Sequence, residues 1–152
     1  MSKIFEDDFM DIQADMVSLC LEYVDSKAEN IYIYASNENG VFSFNAFYKI
    51  NGKIVRTNEV NNVLAETNEK IDDNKERRLS VLKIGVQDLQ RIVDLCKQYN
   101  QSIPTELKLK YDVKSNNLEA DYKYENVYSD DNSLTSFDNF NAWYEEVKAS
   151  NV

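Results

Sequence analysis

Between Leu107 and Tyr124 the chain alternates apolar and polar residues with period two, and this constrains its fold more than any other stretch. Leu107, Leu109, Tyr111 and Val113 alternate with Lys108, Lys110 and Asp112; after the polar turn Lys114 to Asn117 the pattern resumes with Leu118, Ala120, Tyr122 and Tyr124 against Glu119, Asp121 and Lys123. Successive side chains of a strand point to opposite faces, so the segment reads as a β-hairpin with one buried and one wet face. Tyr122 and Tyr124 fall on the buried side.

A second alternating stretch lies upstream. Ile31, Ile33 and Ala35 precede Asn39-Gly40; Phe42, Phe44, Ala46, Tyr48 and Ile50 precede Asn51-Gly52; Ile54-Val55 follow. Each Asn-Gly pair can supply the positive φ angles of a type I′ turn, which predicts a three-strand meander. Tyr32 and Tyr34 occupy the alternate positions of its first strand. One face is therefore expected to pack on helices and the other to present aromatics to solvent or to a partner.

Helical spacing fills the remainder. Phe5, Phe9, Ile12, Met16, Leu19 and Tyr23 recur at steps of three and four, one stripe of a first helix whose other face carries Glu6, Asp7, Asp8, Asp11, Asp15 and Glu22. Glu6, Asp7 and Asp8 are placed in its first turns, where carboxylates complement the helix dipole. The polar run Thr57 to Asn74 reads as a short helix around Val60 to Ala65 and a mobile connection. Leu79, Leu82, Val86, Leu89, Val93 and Cys96 then mark a long helix, with Gly85 a tolerated weak point and Asn100 a stop before Pro104. Ser136 can cap a last helix bearing Phe137, Phe140, Trp143, Tyr144 and Val147. The expected fold is α+β over residues 1–152 as one domain. It has an antiparallel sheet of about five strands in order α-βββ-α-ββ-α, helices packed mainly on one face, and the other face open.

The proline-led entry and hairpin IPTELKLKYDVKSNNLEADYKYE, Ile103 to Glu125, with the helix before it, closely resemble the YezG/EsaG-type immunity proteins. These are antitoxins that bacteria make against their own secreted polymorphic nuclease toxins, and the resemblance covers roughly residues 5 to 148. It implies a protein that blocks a cognate toxin domain, a DNA-degrading nuclease above all, by binding and not by turnover.

Charge agrees with that implication independently. With 27 carboxylates against 17 basic residues, the net charge of −10 repels nucleic acid and anionic membranes and speeds encounter with a basic partner. Residues 1 to 29 sum to −6, residues 30 to 111 to +2 and residues 112 to 152 to −6, so adjacent first and last helices would merge into one acidic surface. Met1 to Asp8 carry acidic groups and no apolar core, and no run approaches a membrane span, so a cytoplasmic protein is expected. Cys20 and Cys96 lie in helical apolar patterns without the spacing of a zinc site or disulfide framework, and read as reduced core residues.

The chain has no histidine, the commonest general base and metal ligand, and its three glycines form no phosphate-cradling loop. Asp130-Asp131-Asn132 invites a calcium reading, but Leu134 takes the third ligand position and Thr135 the glycine position of an EF-hand loop. Asp112 and Glu119 read as surface charge of the hairpin. No enzyme, metal or cofactor is therefore expected. For toxin binding the candidates are Asp121, Glu125, Tyr128, Asp130, Asp131 and Trp143, carboxylates and aromatic anchors towards the carboxyl end. Trp143, in an amphipathic helix, suits the core equally well. An acidic adaptor or chaperone for a secretion-system effector is the alternative function.

Overall fold

The meander and the hairpin form where the alternation predicts and join into one sheet. The computed structural model describes residues 2–130 and 134–151. Helix α1 (Ser2–Tyr23) leads into β1 (Asn30–Glu38), β2 (Val41–Ile50) and β3 (Lys53–Arg56). A short α2 (Val60–Leu64) and the long α3 (Lys75–Gln98) follow, then β4 (Glu106–Asp112), β5 (Asn117–Lys123) and α4 (Ser136–Ser150). Asn39, Gly40, Asn51 and Gly52 have φ of 53°, 74°, 51° and 79°, the left-handed pair each two-residue turn needs. The hairpin docks antiparallel through β4 on β1, giving a five-stranded antiparallel sheet in order β3-β2-β1-β4-β5.

Helices α1, α2 and α3 cover one face of this sheet. Ile31, Ile33 and Ala35 of β1, Phe44, Ala46, Tyr48 and Ile50 of β2, and Leu107 and Leu109 of β4 meet Ile12 and Met16 of α1 and Leu89 and Ile92 of α3. Cys20 and Cys96 are buried free thiols, and burial pushes the Cys20 thiol up to about 12, which keeps it protonated and unreactive. The run Thr57 to Asn74 holds α2 as expected. Its connection is anchored: Ile71 is buried, and the Asn61 side chain accepts from Ile71 N at 2.8 Å and donates to Ile71 O at 2.9 Å.

Gly85 has a structural purpose beyond tolerance. A Cβ there would stand 2.3–2.6 Å from the Phe44 ring, so α3 reaches β2 only because the side chain is absent. Gly85→Ala should gain about 1 kcal/mol of helix propensity and lose more to overpacking, about 1–3 kcal/mol. The expected net result is lower stability; a higher urea midpoint for the variant would show that Phe44 moves aside freely.

The opposite face is not open along its whole width. There α4 lays Phe140 and Tyr144, with Trp143 and Val147 at its margin, on Tyr32, Tyr34, Phe47 and Ile54. The aromatics that alternation placed on the outer face of β1 are covered by this helix because rings of that size gain most from burial against other rings. Among the described residues, most of β4 and β5 stays bare on this side, as does Val41 at the start of β2. Since α1 and α4 lie on opposite faces, the two acidic ends of the chain do not merge into one surface.

Two smaller departures share a cause, namely that periodicity names a face without saying how far along it a neighbour extends. Leu79 and Leu82 are 52% and 37% exposed because the sheet beneath the start of α3 runs out. Tyr124 lies beyond the last residue of β5 and is 52% exposed, whereas Tyr122 is half-buried and donates to Gln13 Oε1 at 2.9 Å. Thr135, not Ser136, caps α4, in a reciprocal pair with Asp138.

Candidate functional site

The parity of the hairpin decides what the uncovered half-face carries. Leu107, Leu109, Leu118 and Tyr122 turn towards α1 and α3, so Lys108, Lys110, Asp112, Glu119, Asp121 and Lys123 turn to the α4 side. Register sets opposite charges directly across: Lys108 faces Asp121, Lys110 faces Glu119, and Lys123 faces Glu106. Such cross-strand pairs add modestly to sheet stability. A groove of about 480 Å³ runs between this hairpin and α4, walled by Tyr32, Lys110, Asp112, Glu119, Trp143 and Val147.

Trp143 packs in the α4-side cluster and also lines the groove. Its ring packs edge-on to Phe47 at 5.1 Å and to Tyr32 at 5.9 Å between centroids, while its half-buried outer side walls the groove. Lys108 Nζ stands 5.6 Å from the same ring and 4.0 Å from Glu106 Oε1.

The other candidates divide. Asp121, Glu125 and Asp130 are exposed; Asp130 accepts from Asn126 Nδ2 at 3.2 Å, and Glu125 offers its carbonyl to the Thr105 hydroxyl. Asp131 lies outside the described residues. Tyr128 is only 9% exposed and reaches towards Ser36 Oγ at 3.5 Å, so its ring belongs to the interior and not to a contact surface.

The residue responsible is Glu38, which the sequence reading passed over. It is 2% exposed, and its carboxylate accepts from Val127 N at 2.8 Å, Ser129 N at 3.0 Å and the Ser129 hydroxyl. Burial opposes its ionisation, but these donors outweigh it and hold the carboxyl below its ordinary value. Glu38 thus draws the segment after β5 across the end of β1. The available sign was its position, two residues beyond Ser36 on the Tyr32 side of β1; the identity of its donors was not readable. Nearby, the buried Tyr34 hydroxyl donates to Glu106 Oε2 at 2.6 Å, and burial followed by this carboxylate raises the Tyr34 pKa.

Among the described residues, α1 carries a dense acidic surface. Glu6, Asp7, Asp8, Asp11 and Asp15 are all exposed, and Asp15 pairs with Arg91 at 2.9 Å. Because the helix begins at Ser2, its first turn holds no acidic residue, and Glu6 to Asp8 sit beyond the reach expected of the dipole. Among the described residues, no group of three or more Cys, Asp or Glu is placed to share a metal ion. No family model matches the chain, and no curated protein matches it. No described helix is long and apolar enough to cross a membrane.

A second groove, of about 500 Å³, was missed by the sequence reading altogether. It opens between the start of α3, the start of α4 and the part of β2 beyond β3, with Leu79, Leu82 and Phe137 as walls. A long apolar stripe on α3 was visible in the sequence, but the end of its cover was not.

Proposed function

We propose that this chain is an immunity protein that binds a cognate secreted or contact-dependent toxin, a DNA-degrading nuclease, and neutralises it by stoichiometric occlusion in the cytoplasm. The observation that carries the reading is the uncovered β4–β5 face, where exposed Glu119 lines the groove walled by Trp143 and exposed Asp121 lies two residues along the same face, each across from a lysine that a partner's cations would have to displace. A nuclease presents Arg and Lys to phosphates, and carboxylates can take the place of phosphate oxygens in charge-assisted bonds. Trp143 offers an aromatic anchor already held in place by Phe47, which limits the entropy lost on binding. Glu125 and Asp130 extend the acidic margin, and the α1 carboxylates add to the long-range attraction without needing to touch the partner.

Pull-down from the source bacterium followed by titration of the captured partner's DNA cleavage tests this reading. Loss of cleavage saturating near one equivalent is expected; capture of a secreted protein without inhibition would favour the adaptor function. The triple variant Asp121→Ala, Glu125→Ala, Asp130→Ala should bind about tenfold more weakly at low salt, with the difference shrinking as salt rises, because exposed charges each contribute under about 1 kcal/mol. Unchanged affinity and salt dependence would remove this face from the site.

A further inference from the structure

The groove between α3 and α4 reverses the character of the rest of the surface. Its walls Leu79, Leu82 and Phe137 are 52%, 37% and 55% exposed, a clustering of large apolar groups that marks interaction sites more often than scattered single residues do. The chain carries a net charge of −10, yet the charged residues among the groove's described lining are all cations: Arg56, Lys75 and Arg78. Arg56 is already engaged, lying 4.0 Å over the Tyr144 ring and 3.7 Å from Glu145. Lys75 and Arg78 form no ion pair among the described residues.

We propose that this groove docks a segment of a partner protein in which large apolar residues are flanked by carboxylates. Charge complementarity selects that occupant. A basic nuclease surface would meet Lys75 and Arg78 with like charge, and a second copy placed by a two-fold axis on this groove would bring the same cations together. The floor suits an extended segment. Strand β3 pairs only with Phe47 to Ile50, so β2 from Val41 to Ala46 continues without a strand on that side, and Asn45 and Ala46 line the floor. Phe44, pressed under Gly85, keeps that floor in place while the walls take up the apolar side chains. This surface is separate from the β4–β5 face, and the inference stands whether or not the nuclease reading does.

The test is selection of a random twelve-residue peptide library against the full chain, followed by anisotropy titration of the labelled winners. Winners are expected to carry two or more of Leu, Ile and Phe beside Asp or Glu. They should lose about tenfold or more in affinity to the Lys75→Glu/Arg78→Glu variant, with the fold checked by circular dichroism because Arg78 is half-buried and its Nε donates to Asp73 O at 3.1 Å. Lys75→Glu alone, at an exposed position, should lose part of the same affinity. Leu82→Asp, also at an exposed position, should weaken them similarly. Neutral or basic winners, an absence of winners, or equal binding to the double variant would overturn the proposal. So would a dimer in sedimentation velocity that Leu82→Asp dissolves, since the occupant would then be a second copy.

Discussion

Phe47→Ala is expected to lower the free energy of unfolding by about 3–5 kcal/mol, the usual cost of truncating a fully buried phenylalanine. Phe47 is 0% exposed and is the centre of the α4-side cluster. Its ring stacks on Tyr32 at 4.6 Å and meets Trp143, Tyr144 and Phe140 edge-on at 5.1, 5.2 and 5.9 Å between centroids. Those partners are fixed on two separate elements, β1 and α4, so neither can fill the vacated space without dragging its helix or strand along. The cavity term therefore adds to the lost transfer energy instead of being relaxed away. The α4-side cluster is also much the smaller of the two cores, and the polar ties of α4 to Arg56 and the Ile54 carbonyl do not replace its buried apolar contact. Urea unfolding followed by far-UV circular dichroism measures the loss. The chain's single tryptophan, Trp143, gives a second readout, because its emission should shift red when α4 loosens. A loss under about 1 kcal/mol with unshifted emission would mean that α4 does not depend on this ring.

The elements were legible wherever a local rule and the global fold agreed. Asn39-Gly40 and Asn51-Gly52 specified two turns by backbone conformation alone, and the alternation from Leu107 to Leu118 specified both the hairpin and its buried face. The destination of α4 was not legible. Its amphipathic stripe fits either face of a sheet, and the choice is made by Tyr32, Tyr34 and Phe47, whose alternate positions read equally well as a display surface. The same limit applies to the candidate site. Asp121 comes to the outer side of the hairpin through parity, which sequence shows, but Trp143 joins it only because α4 docks on that face, and Tyr128 turns inward beside a carboxylate some ninety residues away, neither of which sequence shows. The apolar groove stayed hidden because exposure at Leu79 and Leu82 depends on where the neighbouring strand stops.

Glu38→Gln should lower stability by about 2–3 kcal/mol near neutral pH and flatten the acid limb of the stability curve, since hydrogen bonds to a charged acceptor outweigh neutral ones. Burial alone would raise the Glu38 carboxyl; the Ser129 hydroxyl and the N–H groups of Val127, Ser129 and Tyr128 overcome it and leave the folded value below 4.5. The unfolded chain therefore binds the proton more readily than the folded one. The stabilisation is fully present above the ordinary carboxylate value and is lost as pH falls through the folded value. Glutamine carries no charge to lose, and its amide N–H₂ faces donors where an acceptor is needed, so the variant should be weaker at neutral pH and converge on the wild type in acid. Urea midpoints at about pH 7 and about pH 3 read both effects, and parallel curves at all pH values would show that Glu38 is not the group responsible. For the site we propose, the consequence runs through the segment that Glu38 holds. Asn126 to Asp130 follows the end of β5, and its release would free Asp130 from the bond that Asn126 makes to it and unseat Tyr128 from beside Ser36. Weaker binding of the proposed partner by Glu38→Gln near neutral pH, where the contact carboxylates stay ionised, would tie the acidic margin of the proposed site to one buried carboxylate.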